Sequence, residues 1–273
     1  MASRSNRYPE EFKRDAVALL CRVLGVRRSA YYKPMTLSPP PRVGEYVPSA
    51  ALGVGLGLAA YIPDTLNDSG APYVNPFFSS GFAWGFAALL AGYMARRQRV
   101  SVVAGGATLA IAVIAYYSLI LFVNQRWYVD ASNTEDGLPS SAGLLSVGRS
   151  IAFWALAGVS GGGMMGWLGW TIRQASAHRG STALGAALGL LTGEAVFTLI
   201  HVKSIYLGPL DTFDLSKLIP SLIQITLAVI AVAIMVILRK RSINWRVAIV
   251  VGATSVALSA LLWYAVLTVR ILL

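Results

Sequence analysis

The chain has 273 residues, 56% of them hydrophobic and 13% charged, with 23 Lys and Arg against 12 Asp and Glu and a formal net charge of +11. Soluble domains average about 45–50% apolar and about 25% charged residues, so composition excludes a soluble globular domain, which could not hide this much apolar surface. A single Cys21 and two histidines, His178 and His201, exclude an intramolecular disulfide and a cysteine metal cluster and leave no basis for a multi-His metal site.

In chain order, the first 33 residues differ in composition from the rest. Pro9 with Glu10 and Glu11 makes a helix start, followed by Phe12, Val17, Leu20 and Leu24 on one apolar face and a stop at Gly25. The wording RYPEEFKRDAVAL resembles the first helix of the helix-turn-helix subunit of insertion-sequence transposases. CRVLGVRRSAYYK is similar to a motif near the start of their catalytic partner subunit, and the resemblance spans residues 6–33. It does not carry DNA binding or transposition over to this chain. A DNA reader needs a second helix held against the first, whereas residues 34–48 are a proline-rich linker and no carboxylate triad follows. Residues 1–33 are therefore expected to be an amphipathic remnant, from a fusion or a mis-set gene start, with no nucleic-acid partner.

Residues 49–273 read as a transmembrane domain. Nearly uncharged stretches long enough to cross a hydrocarbon layer about 30 Å thick are expected at 49–65, 75–94, 100–123, 149–172, 181–202, 217–238 and 246–270. The first is short and glycine-rich. Charge placement resolves it, because Lys and Arg collect on the cytoplasmic side. With seven spans and the N-terminus inside, cytoplasmic segments hold eighteen of the 23 basic residues, and the outer segments hold five basic and seven acidic residues. The prediction is an all-α, polytopic membrane helix bundle of about seven transmembrane helices, N-in and C-out. Its basic inner face is suited to anionic lipid headgroups, which accounts for the net charge without nucleic acid.

Glycines at four-residue spacing mark two spans, Gly158, Gly162 and Gly166 in the fourth and Gly185, Gly189 and Gly193 in the fifth. In lipid such faces let helix backbones approach, and the short connection predicts that these two spans pack as an antiparallel pair, with Gly53 and Gly57 of the first span offering a candidate third partner. Small-residue faces are also compatible with a homo-oligomer. The stretch GVSGGGMMGWLG resembles the GxSG nucleophile motif of rhomboid intramembrane proteases, with Ser160 in the serine position, and AHRGSTALGAALG is similar to that family's histidine helix. Hydrolysis needs Ser160 and His178 within hydrogen-bond reach. They are expected about 18 Å apart in depth, on consecutive antiparallel helices.

The fifth span carries one acid, Glu194, in GLLTGEAVFTLIH. A charged group at this depth costs about 2–3 kcal/mol and normally faces the bundle interior with a partner. Thr198 and His201 lie four and seven residues on, giving one stripe that rises toward the outer surface. By depth, Ser160 to Gly163 are the expected neighbours. Gln224, Thr226, Tyr116 and Tyr117 could line a cavity, whereas Trp127, Tyr128, Trp245 and Trp263 are expected to anchor at the interfaces.

From residue 47 to 273 the chain resembles multi-pass integral membrane proteins of actinobacterial type, through NPFFSSGFAWG, GRSIAFWALAG and GLLTGEA. The resemblance implies the multi-span fold in a bacterial cytoplasmic membrane and assigns no activity. The expected function is permease-like, for a small solute or cation, with Glu194, Thr198, His201 and Ser160 as polar-site candidates. A structural or partner-binding subunit and a rhomboid-like hydrolase are the alternatives. No complete catalytic constellation, metal site or cofactor fingerprint is present.

Overall fold

A computed structural model describes residues 43–66, 70–124, 128–129, 138–139, 141–205, 212–239 and 242–272. The transposase-like segment and most of the proline-rich linker lie outside the described residues. After a single 3-10 turn at Val43–Glu45, the elements are α1 (Val47–Ala60), α2 (Ile62–Thr65), α3 (Ala71–Phe78), α4 (Gly81–Met94) and α5 (Gln98–Phe122). A minimal hairpin of β1 (Tyr128–Val129) and β2 (Leu138–Pro139) precedes α6 (Ser141–Gln174), α7 (Ala177–Ile205), α8 (Thr212–Arg239) and α9 (Trp245–Leu272).

Six segments are long and apolar enough to cross a membrane, with α3 and α4 together forming one of them, Ala71–Met94. The protein is an all-α, multi-pass membrane bundle whose surroundings are a lipid bilayer. Most observed helices run a few residues past the expected spans, because backbone hydrogen bonding continues beyond the hydrocarbon edge that hydropathy detects. The first expected span, 49–65, is α1 followed by the single turn of α2. At 14 residues, α1 is about 21 Å long, shorter than the hydrocarbon layer. It runs parallel to α5, with Gly53 against the Thr108 carbonyl and Gly57 against that of Ala112. Parallel packing is what the first and third of a series of alternating spans require.

Close backbone approach fixes most helix contacts. Gly105, Gly162 and Gly166 meet where α5 crosses α6 antiparallel, and Gly92 of α4 packs onto Gly166 from another side. A Cβ on Gly162 would lie 2.6 Å from the Gly105 carbonyl oxygen. The second stripe, Gly185, Gly189 and Gly193, lies along α9, where Gly189 faces Gly252 and Ser255 and Gly193 faces Ser259. The two spans do pack side by side as expected, but their glycine stripes face other helices. A short loop brings α6 and α7 side by side but does not set their rotation, and the small residues of α5 and α9 offer each stripe a closer fit. The first span likewise packs on α5, not on those helices. Leu89, Ile172, Leu184 and Leu191, all fully buried, form the centre of the core between α4, α6 and α7.

At the end carrying the Arg96–Arg99 turn, two arginines close helix C-termini. Arg173 donates to the carbonyls of Tyr93 (2.9 Å) and Met94 (3.4 Å) at the end of α4, with its guanidinium over the Tyr93 ring. Arg239 is buried and donates to Ala175 (3.2 Å) and Ser176 (3.0 Å) beyond α6, lying against Gly180, where any side chain would collide with it. The Ser176 carbonyl also accepts from the Gly180 amide of α7 at 2.9 Å, while carbonyls at a helix C-terminus concentrate partial negative charge, which a guanidinium offsets.

Candidate functional site

The second span is broken. Pro72 opens α3 and Pro76 lies inside it, and the chain then leaves helical geometry at Ser79 and Ser80 before restarting at Gly81. Ser80 has extended backbone (φ −96°, ψ 161°) and is the N-cap of α4: its hydroxyl accepts from the Ala83 amide at 3.2 Å and donates to the Pro76 carbonyl at 2.9 Å. Such a break exposes unpaired amides at membrane depth, and each must find an acceptor inside the protein.

Glu194 of α7 supplies one. Its Oε2 accepts from the Gly81 amide at 2.5 Å and from Gln224 Nε2 of α8 at 3.1 Å, so one carboxylate oxygen joins three helices. The positive end of the α4 dipole points at this carboxylate. Gly81 is required there for space, since a Cβ would lie 2.6 Å from Trp263 Cζ2 and 2.8 Å from the Glu194 oxygen. Among the described residues both donors fall on Oε2 and none on Oε1. Glu194 is half-buried, whereas Gln224 is 5% exposed. The arrangement can hold a cation, a solute amine or a proton on Oε1 while Oε2 stays fixed.

The other expected site residues do not join it. Thr198 donates its hydroxyl to the Glu194 main-chain carbonyl (3.0 Å), so it serves its own helix. His201 stacks on Phe197 with ring centroids 5.2 Å apart, two turns outward. Ser160 is exposed on the lipid-facing side of α6, its hydroxyl donating to the carbonyls of Leu156 (2.8 Å) and Ala157 (3.2 Å). Gly162 and Gly163 pack on α5. A neighbourhood of Glu194 with Ser160 to Gly163 is thus corrected. Levels agree, because Gly85 faces both Leu191 and Met165, but α6 turns its small face away from α7. Tyr116 donates to Asp64 at 2.7 Å, tying α5 to α2, and Thr226 is exposed, its hydroxyl donating to Leu222.

Glu194 and Gln224 are legible in the sequence as polar residues inside spans, whereas Gly81 and Ser80 are not, and Trp263, expected at the interface, lies against Gly81 beside Glu194. The available signal was Asn75-Pro76 followed by Ser79-Ser80-Gly81, a helix stop and restart inside an apolar run. Among the described residues no group of three His, Cys, Asp or Glu side chains could hold a metal ion. No family profile, curated protein or solved structure matches the chain.

Proposed function

We propose that this is a permease-like protein of a bacterial cytoplasmic membrane, N-in and C-out, with Glu194 as the polar site for a small solute or cation. One observation carries the reading. The broken second span presents a helix N-terminus at membrane depth, and Glu194 closes it with one oxygen while the other has no hydrogen-bond donor among the described residues. Discontinuous spans are the usual means by which transporters place polar groups near the midplane. A solute that binds Oε1 would change the charge balance at the start of α4, next to the helix break at Ser79 and Ser80.

A second reading is favoured by the same bonds. Because Oε2 alone links α4, α7 and α8, Glu194 can serve as interhelical glue in a structural or partner-binding subunit. Flux separates the two. Purified protein in liposomes, with outward gradients of sodium, potassium or choline and a potential-sensitive dye, should develop a potential that Glu194→Gln removes while thermal stability is kept. Equal potentials from both proteins would sink the permease reading, and altered assembly without any flux would support the subunit. Anionic lipid headgroups at Arg96, Arg99, Arg179 and Arg246, all exposed, and self-association belong to the same proposal.

A further inference from the structure

A break inside a helix leaves two sets of backbone groups without intrahelical partners, the carbonyls that close the first half and the amides that open the second. Glu194 and the Ser80 hydroxyl take the amides of Gly81 and Ala83. On the other side of the break, the Asn75 carbonyl accepts from the Ser79 amide at 2.9 Å and the Pro76 carbonyl from the Ser80 hydroxyl at 2.9 Å. The next three carbonyls, those of Phe77, Phe78 and Ser79, accept from no donor among the described residues.

These carbonyls end inside the membrane. Ser79 follows the eight residues of α3, which opens the second span, at a depth of about 12 Å, where an unpaired backbone carbonyl is costly. The Phe77 side chain turns outward, but a helical carbonyl points along the axis past the C-terminal end, and Pro76, Ser80 and Phe82 are buried around the break. The Glu194 carboxylate enters the same break from α7. Ser79 stands two residues from Gly81, at most about 7 Å along the chain, and the Gly81 amide holds Oε2. Three main-chain oxygens at the negative end of the α3 dipole therefore share the break with a carboxylate whose Oε1 accepts from no donor among the described residues. Oxygens so placed repel one another unless a cation lies between them.

We propose that the carbonyls of Phe77, Phe78 and Ser79, together with Glu194 Oε1, form a site for a dehydrated sodium ion at the break in the second span. The site rests on the permease reading and names its cation. Main-chain carbonyls can replace a cation's hydration shell, and broken spans use the C-terminal ends of half-helices for this purpose. The single carboxylate matches one positive charge. Space selects further, because a Cβ on Gly81 would already collide with Trp263 and Oε2; the gap has no room for an organic ammonium and favours a small alkali ion.

Backbone ligands cannot be removed by substitution, so the test observes one directly. Full-length protein in lipid bilayers is prepared with carbonyl-labelled phenylalanine and nitrogen-labelled serine. Phe78–Ser79 is the only Phe-Ser pair in the chain, so solid-state magnetic resonance selects a single carbonyl. In sodium, the Phe78 carbonyl should shift from its position in choline and show a dipolar coupling to the sodium nucleus, which requires direct contact. The Phe153 carbonyl, selected through nitrogen-labelled Trp154, lies within α6 and should show neither. Glu194→Gln should lose the coupling at Phe78. No coupling in the parent protein, or a coupling that Glu194→Gln leaves unchanged, overturns the site; if Glu194→Gln does not fold, the parent protein decides alone. Coupling without Glu194-dependent flux keeps the site and removes the permease reading, whereas flux without coupling removes the site only.

Discussion

Replacing Gly166 by Ala tests how the bundle is held together. The new Cβ would fall on the Ser101 carbonyl oxygen and within 3.1 Å of the Gly105 Cα. Ordinary contacts of a Cβ begin near 3.4 Å, so α5 and α6 must part by about 1 Å, a gap that forfeits about half of the dispersion energy of each facing atom pair. Gly92 of α4 packs on the same residue, so two interfaces loosen together. Overpacking of this kind costs about 1–3 kcal/mol, and the two interfaces put Gly166→Ala in the upper half, about 2–3 kcal/mol. Gly161→Ala is the control. Nothing lies within 4 Å of a Cβ there, and the loss of backbone freedom in the unfolded chain leaves it neutral or up to about 1 kcal/mol more stable. Unfolding in mixed micelles, followed by helicity against added dodecyl sulfate, reads both. A Gly166→Ala protein as stable as the parent, or a Gly161→Ala protein equally damaged, would refute the packing of α5 on α6.

The same unfolding assay checks three further changes. Glu194→Leu leaves the Gly81 amide unpaired and should cost about 1–3 kcal/mol, while Glu194→Gln keeps an acceptor and should cost under about 1 kcal/mol; equal losses would mean that the cap of α4 is not made. Arg239→Met removes the guanidinium donor from the Ala175 and Ser176 carbonyls, the latter keeping the Gly180 amide, and should cost about 1.5–3 kcal/mol, with Arg239→Lys recovering only part. Thr108 is fully buried and its hydroxyl lies 3.1 Å from the Ser49 carbonyl and 2.8 Å from that of Ala104. Thr108→Val, of equal volume, should cost about 0.5–1.5 kcal/mol and raise hydrogen exchange in α1 more than in α7; uniform exchange would contradict a local tie. For topology, Asn124→Cys should react with an impermeant thiol reagent outside cells and Arg97→Cys should not, and the reverse pattern would invert the orientation.

Spans were legible because crossing a bilayer demands a length and a composition that hydropathy reports directly. Depth was legible too: residue counting puts Glu194 near the level of Ser160 to Gly163, and the shared contacts of Gly85 with Leu191 and Met165 agree with it. Rotation about each helix axis was not. The stripe Gly158, Gly162 and Gly166 says that something approaches closely, but α5 and α7 both present small residues, and the choice depends on three-dimensional fit that spacing does not encode. Glu194 stood out because an acid in an apolar run is costly wherever it points. Its donors did not, since one is a backbone amide of Gly81, which any residue but proline carries, freed by a helix break 113 residues away in sequence.

The central claim is that Glu194 offers a carboxylate oxygen to a cation. Infrared difference spectroscopy of the reconstituted protein, exchanging sodium for potassium and then for choline, measures it directly. A shift of the carboxylate stretching bands on exchange, absent from Glu194→Gln, is the predicted result. Difference spectra identical in the two proteins would contradict it.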